Sequence, residues 1–190
     1  MNTAMYLIEA HTLIKALIKA LITCNKKLAD MKIKTHSTCS YCPEDDTIRH
    51  FFLFCPRVEA FWQHFFNWWN RLDNIQIPHT TELNILFGYM SNENVFMALN
   101  YCILHGKYYI YKQRLFHNNN LDLYEFLVEL RYKLQIEYDI CKKNSCMDKF
   151  DKYVFIFDTL LRFTFTFVLY LLYVWVNKLV YNKKKAHPWF

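Results

Sequence analysis

The sequence predicts a mostly helical protein: a small helical domain organised by a Cys3His zinc site, followed by a C-terminal hydrophobic helix. Three observations lead there. First, 190 residues contain only two glycines and four prolines, too few turn formers for a sheet with many reversals. Second, hydrophobic residues make up 54% of the chain and aromatics 19%, enough to fill one core. Third, the apolar residues recur at helical spacing over several long stretches.

The first stretch is residues 5–24, where Leu7, Ala10, Ile14, Leu17, Ile18 and Leu21 form a stripe and Lys15 and Lys19 lie off it. It is expected to pack on the core; a membrane-surface helix is the other reading. A second helix is expected over 56–72. Pro56 suits its first position, and Phe61, Trp62, Phe65, Trp69 and Leu72 mark its apolar face. Such aromatics can stack on bases, but packing in the core accounts for them more simply. Polar residues around Pro78 read as a loop. Ser91 or Asn92 can cap a third helix running to Phe116. Gly106 within it costs helix stability, which suggests the close approach of another backbone. Asn118, Asn119 and Asn120 read as a turn before a fourth helix over 121–143, striped by Leu123, Leu127, Leu130, Leu134 and Tyr138.

Composition changes after Lys152, giving expected segments 1–152 and 153–190. Residues 163–176, FTFTFVLYLLYVWV, carry no charge. Extended to 160–181, the run is long enough to cross a bilayer if Arg162 and Lys178 snorkel to the interfaces. Tyr173, Trp175 and Tyr181 suit an interfacial belt, and NKKK at 182–185 supplies a basic flank.

Three of seven cysteines, and one histidine, fall between positions 39 and 55. The spacing is Cys39-x2-Cys42-x7-His50-x4-Cys55. Glu9 and His11 interrupt the N-terminal apolar run, so no secretory signal is read there. In a reducing compartment, clustered cysteines more often bind metal than form disulfides. Three thiolates and an imidazole suit a tetrahedral zinc ion, and four protein ligands leave no open position, which makes the site structural. Cys55 before Pro56 lies at a helix start, where the dipole favours a thiolate. Two alternatives stay open at this point: the cysteines can be small buried hydrophobes, and His36 can replace His50.

The net charge of +6 favours anionic partners. Lys107, Lys112 and Arg114, which flank the tyrosines of HGKYYIYKQR, are candidate phosphate contacts; a solvated helix face is the alternative. Lys26, Lys27, Lys32, Lys34 and Arg57 are further candidates. No enzymatic constellation is read: Glu137, Asp139, and Cys102 with His105 are isolated titratable groups.

Taken in order, NKKLADMKIKTHSTCSYC, DDTIRHFFLFCPRVEAFW, ILFGY and GKYYIYKQR resemble the zinc-binding segment at the C-terminal end of reverse transcriptases from LINE-type (non-LTR) retrotransposons. The resemblance covers roughly residues 14–150. It places Cys39, Cys42, His50 and Cys55 on that family's four ligand positions, and Thr47 and Trp62 match as well. It implies structural zinc and a non-catalytic role beside a polymerase, holding RNA or DNA backbone. The polymerase's Tyr/Phe-x-Asp-Asp turn is not found here; Glu44-Asp45-Asp46 lies inside the zinc loop instead. The hydrophobic tail has no counterpart in the family pattern. The expectation is therefore a detached, non-enzymatic fragment, intracellular and membrane-associated through residues 160–181, or nuclear or cytoplasmic if the tail does not insert. The alternatives are a zinc-stabilised, membrane-anchored structural protein and an element relic without selected function.

Overall fold

The computed structural model describes residues 24–72, 77, 80–91, 93–116, 120–151, 153, 156 and 158. These residues are mostly helical. Among them there is no strand, only an isolated antiparallel bridge between Thr38 and Asp45. The expected helix over 5–24, except Cys24, and the expected membrane helix over 160–181 lie outside the described residues. Among the described residues, no helix is long and apolar enough to cross a membrane. The chain divides into two compact units, Met1–Leu130 and Arg131–Phe190.

In the first unit, helix α1 spans Asn25–Asp30. It ends where Lys32 takes the left-handed conformation (φ 58°). After the cysteine loop, a π-helical turn covers His50–Phe54. Helix α2 follows over Pro56–Asn70, with Pro56 in the first turn as expected. Its face of Phe61, Trp62, Phe65 and Trp69 is buried, so these rings belong to the core and offer no stacking platform.

Helix α3, Glu82–Phe87, was not anticipated. Thr81 and Asn84 form a reciprocal capping box at its start, satisfying backbone donors that a six-residue helix would otherwise leave open. It ends at Gly88, whose φ of 85° is readily adopted only without a Cβ. A Cβ there would also lie 2.8 Å from Asn100 Oδ1. That close fit lets Asn100 accept from Tyr89 N (2.6 Å) and donate to Tyr89 O (2.9 Å), clamping the chain after α3 to the next helix.

Helix α4, Asn94–Leu115, begins after Glu93, slightly later than the expected cap at Ser91 or Asn92. Buried residues occur on nearly all its sides, including Leu99, Cys102, Ile103, Gly106, Tyr109 and Ile110, so it runs through the centre of the unit. Gly106 does admit a close approach, but the visitor is a side chain, not a backbone. A Cβ there would meet the Trp62 ring at 2.8 Å.

Helix α5, Leu123–Lys143, is capped by the Asp122 carboxylate, which accepts from Glu125 N at 3.1 Å. Its first half joins the first unit: the Phe126 ring packs edge-on to Phe61 (5.4 Å) and Phe65 (6.1 Å). Tyr109 packs against the same Phe61 at 5.7 Å. In the second unit, Leu134, Cys141, Phe150 and Ile156 are buried. Phe150 there meets Tyr138 at 5.5 Å.

Candidate metal centre

The cysteine loop is closed before any ion is considered. Thr38 bridges Asp45, and the Cys39 N–H donates to Glu44 O at 2.8 Å. The four residues between Cys39 and Glu44 therefore form the tip of a short hairpin. Thr47 then starts the return. Its hydroxyl accepts from His50 N (3.1 Å) and its carbonyl from Phe51 N (2.8 Å), which orients the turn that carries His50.

That turn is π-helical: the Cys55 N–H donates to His50 O at 2.9 Å, an i to i+5 bond. On an α-helix, residues five apart point about 140° away from each other. The wider turn brings them closer to one face, so His50 and Cys55 reach the same point. Trp62 fixes it from α2 by donating its Nε1–H to Phe52 O at 2.8 Å.

The result is one cluster. A ligand atom from each of Cys39, Cys42, His50 and Cys55 lies within 4.8 Å of all the others, and Cys42 Sγ is 3.1 Å from His50 Nε2. A tetrahedral zinc ion with bonds of about 2.0–2.3 Å needs ligand atoms roughly 3.5–3.8 Å apart, a spacing these distances bracket. His36, the alternative imidazole, is exposed and not in the group. Cys39, His50 and Cys55 are buried and Cys42 is half-buried. Burial, first among the causes, pushes the Cys55 thiol up to about 11, raises Cys42 and lowers His50. The pocket thus disfavours isolated charges, and a divalent cation among the sulfurs supplies the compensation that thiolates need. The group can hold a metal ion.

Behind the loop stands a polar network that the sequence did not announce. Asp46 is completely buried. Its Oδ2 accepts from Asn25 N (2.7 Å) and from the Arg114 guanidinium, and its backbone O accepts from Lys26 N (3.3 Å). Asp46 therefore caps α1 from outside and ties it to the C-terminal end of α4. Asn25 extends the network by donating Nδ2–H to Thr38 O and accepting from Lys34 Nζ, each at 2.7 Å. In the sequence Asp46 is one of three consecutive acids, Glu44, Asp45 and Asp46, inside the cysteine loop. The only hint was its place in an acidic run directly before Thr47.

The three cations expected to meet phosphates each have a partner within the protein. Lys107 is buried, and its ammonium donates to Leu86 O at 2.9 Å. Burial lowers its pKa from 10.5 to about 8. Its burial goes against both the phosphate contact expected of it and the solvated-face alternative: it anchors the last turn of α3, where a cation meets orphan carbonyls. Lys112 pairs with Glu129. Arg114 pairs with Asp46 and stacks on the Phe51 ring at 4.4 Å. Of the further candidate cations, Lys27, Lys32 and Lys34 are exposed, on and after α1. Arg57 lies over the Tyr41 ring at 3.8 Å, bracing the hairpin tip against α2. Cys102 is fully buried, and burial pushes its thiol well above the ordinary range, which gives it the character of a core residue. No family model, curated protein or solved structure matches this chain.

Proposed function

We propose that this chain is a non-catalytic helical module stapled by a structural zinc ion, of the kind found at the end of LINE-type reverse transcriptases, and that it contacts RNA or DNA backbone. The observation that carries the zinc reading is the convergence of Cys39, Cys42, His50 and Cys55 within 4.8 Å. Thiolate and imidazole donors in a four-ligand set favour zinc over harder cations and leave no position for substrate. Thr47 and Trp62, two residues that carry the resemblance, hold the turn bearing His50. The nucleic-acid reading rests on the net charge of +6 and on the exposed lysines near the hairpin. Elemental analysis of the purified full-length chain tests the first part: about one zinc per chain is expected, and less than one half in the Cys39→Ser variant. A folded wild type free of metal and indifferent to a chelator sinks the reading.

A second reading, membrane attachment, rests on the charge-free run at 163–176. Carbonate extraction of the full-length chain beside a version ending at Lys152 tests it. Only the full-length chain should stay with the membrane fraction; release of both rejects it.

A further inference from the structure

Beside the hairpin lies a cavity of about 260 Å³. Leu28 and Leu115 give it an apolar side. Lys34, Ser40, Tyr111 and Arg114 give it a polar one. No described lining residue is acidic. The two cations are not equivalent. Arg114 is compensated by the buried Asp46, whereas the Lys34 ammonium is held by the neutral amide oxygen of Asn25. The lining therefore keeps a positive charge, placed by a network that also braces the metal loop. An ammonium has three donors and a guanidinium five, so Lys34 and Arg114 can keep these partners and still receive an anion.

The volume and the mixed wall limit what that anion is attached to. A bare phosphate would leave most of the space against Leu28, Leu115 and the Tyr111 ring unfilled. A duplex presents its phosphates on a convex rod and cannot send a base into a cavity. A single-stranded nucleotide can be splayed out, with its phosphate on the cations and its flat apolar part on an aromatic or aliphatic wall. We infer that this cavity seats one nucleotide of a single-stranded nucleic acid, its phosphate on Lys34 and Arg114 and its base or sugar against Tyr111. This rests on the nucleic-acid reading above and names the place where the contact is made.

The test uses the full-length, zinc-loaded chain in a neutral detergent and a fluorescein-labelled ten-nucleotide uridine strand, followed by anisotropy at several salt concentrations. Lys34 is exposed, so Lys34→Glu should preserve folding; zinc content and circular dichroism verify this. Lys142→Glu makes the same charge change outside the cavity lining. Lys34→Glu should weaken binding roughly tenfold and lower the salt slope by about one, with Lys142→Glu changing affinity less than about twofold. Tyr111→Leu should weaken binding several-fold at an unchanged salt slope, because it removes a ring and not a phosphate contact. Equal losses for the two charge reversals overturn the inference. So does binding to a duplex of the same length with equal affinity. Lys34-dependent binding to vesicles containing phosphoinositide, without strand binding, also overturns it and assigns the cavity to a lipid headgroup. A chain that holds one zinc yet binds no strand at low salt refutes the cavity assignment and leaves the zinc reading standing. A purified chain that holds no zinc yet binds the strand through Lys34 refutes the zinc reading and supports the cavity assignment.

Discussion

Asp46 shows how much of this molecule turns on single polar atoms. Its carboxylate is buried with Arg114 as counter-ion and Asn25 N as hydrogen-bond donor. Removing one member of a buried pair leaves the other charge uncompensated, which typically costs about 3–5 kcal/mol. Asp46→Asn should therefore lower the urea midpoint strongly and loosen the metal loop. Adding Arg114→Met should restore part of the loss, since no lone cation then remains; a double-mutant cycle reads the coupling. Sequence could not single out Asp46 from its neighbours Glu44 and Asp45, because burial is decided by α4, whose Arg114 lies 68 residues away in the chain. The candidate ligand group was legible, because its chemistry is local and Cys-x2-Cys with a following His and Cys constrains its own geometry. The choice between His36 and His50, and the convergence of the three thiols in place of their separate burial as small hydrophobes, needed the fold.

Among the elements, α2 and α4 explain each other. Trp62 lies over Gly106, and its indole is held by the bond to Phe52 O, so it cannot swing aside freely. Gly106→Ala gains about 1 kcal/mol of helix propensity but forces overpacking, which costs about 1–3 kcal/mol. Net destabilisation is expected in urea melts, and adding Trp62→Phe should reduce it. Lys107 joins α4 to α3 and makes stability depend on pH. Its pKa is about 8 folded against 10.5 ordinarily. Below pH 8 it is charged in both states, and the cost of burying the charge is fully present. Between pH 8 and 10.5 the unfolded chain binds more protons, so this residue's contribution makes stability rise with pH. The difference in urea midpoint between wild type and Lys107→Met, measured from pH 7 to 10.5, should show that rise. Helices α2, α4 and α5 were readable from apolar periodicity to within a few residues. Helix α3 was not: six residues carry too little periodicity, and its order comes from the Thr81 cap, Gly88 and the Lys107 tether. Lys107 was misplaced for another reason: a lysine next to tyrosines looks like a surface contact until its helix proves to be surrounded.

At the scale of the whole molecule, metal removal should separate two sources of order. The first unit has its own core of Phe61, Phe65, Tyr109 and Phe126, so chelation should leave most helical circular dichroism intact. The hairpin and the π-helical turn carry the candidate ligands and should loosen together. A fall in melting temperature on the order of 10 °C is expected if the metal contributes about 4 kcal/mol. Restoring one equivalent of zinc should reverse it. Complete loss of helical signal on chelation would show instead that the core cannot stand without the metal.

The π-helical turn makes the two intervals within the candidate ligand group unequal under insertion. The seven residues between Cys42 and His50 include a hairpin arm and an exposed turn, where an added residue can bulge into solvent. The four between His50 and Cys55 are all backbone of one widened coil, closed by the Cys55 to His50 bond. Adding one residue there would swing Cys55 by about 100° and carry its thiol away from His50, whereas losing one would leave an ordinary i, i+4 turn with both side chains still on one face. Insertion should thus be tolerated before His50 and not after it. A library of single-residue insertions across 43–54, screened for retained zinc, should break sharply at that histidine.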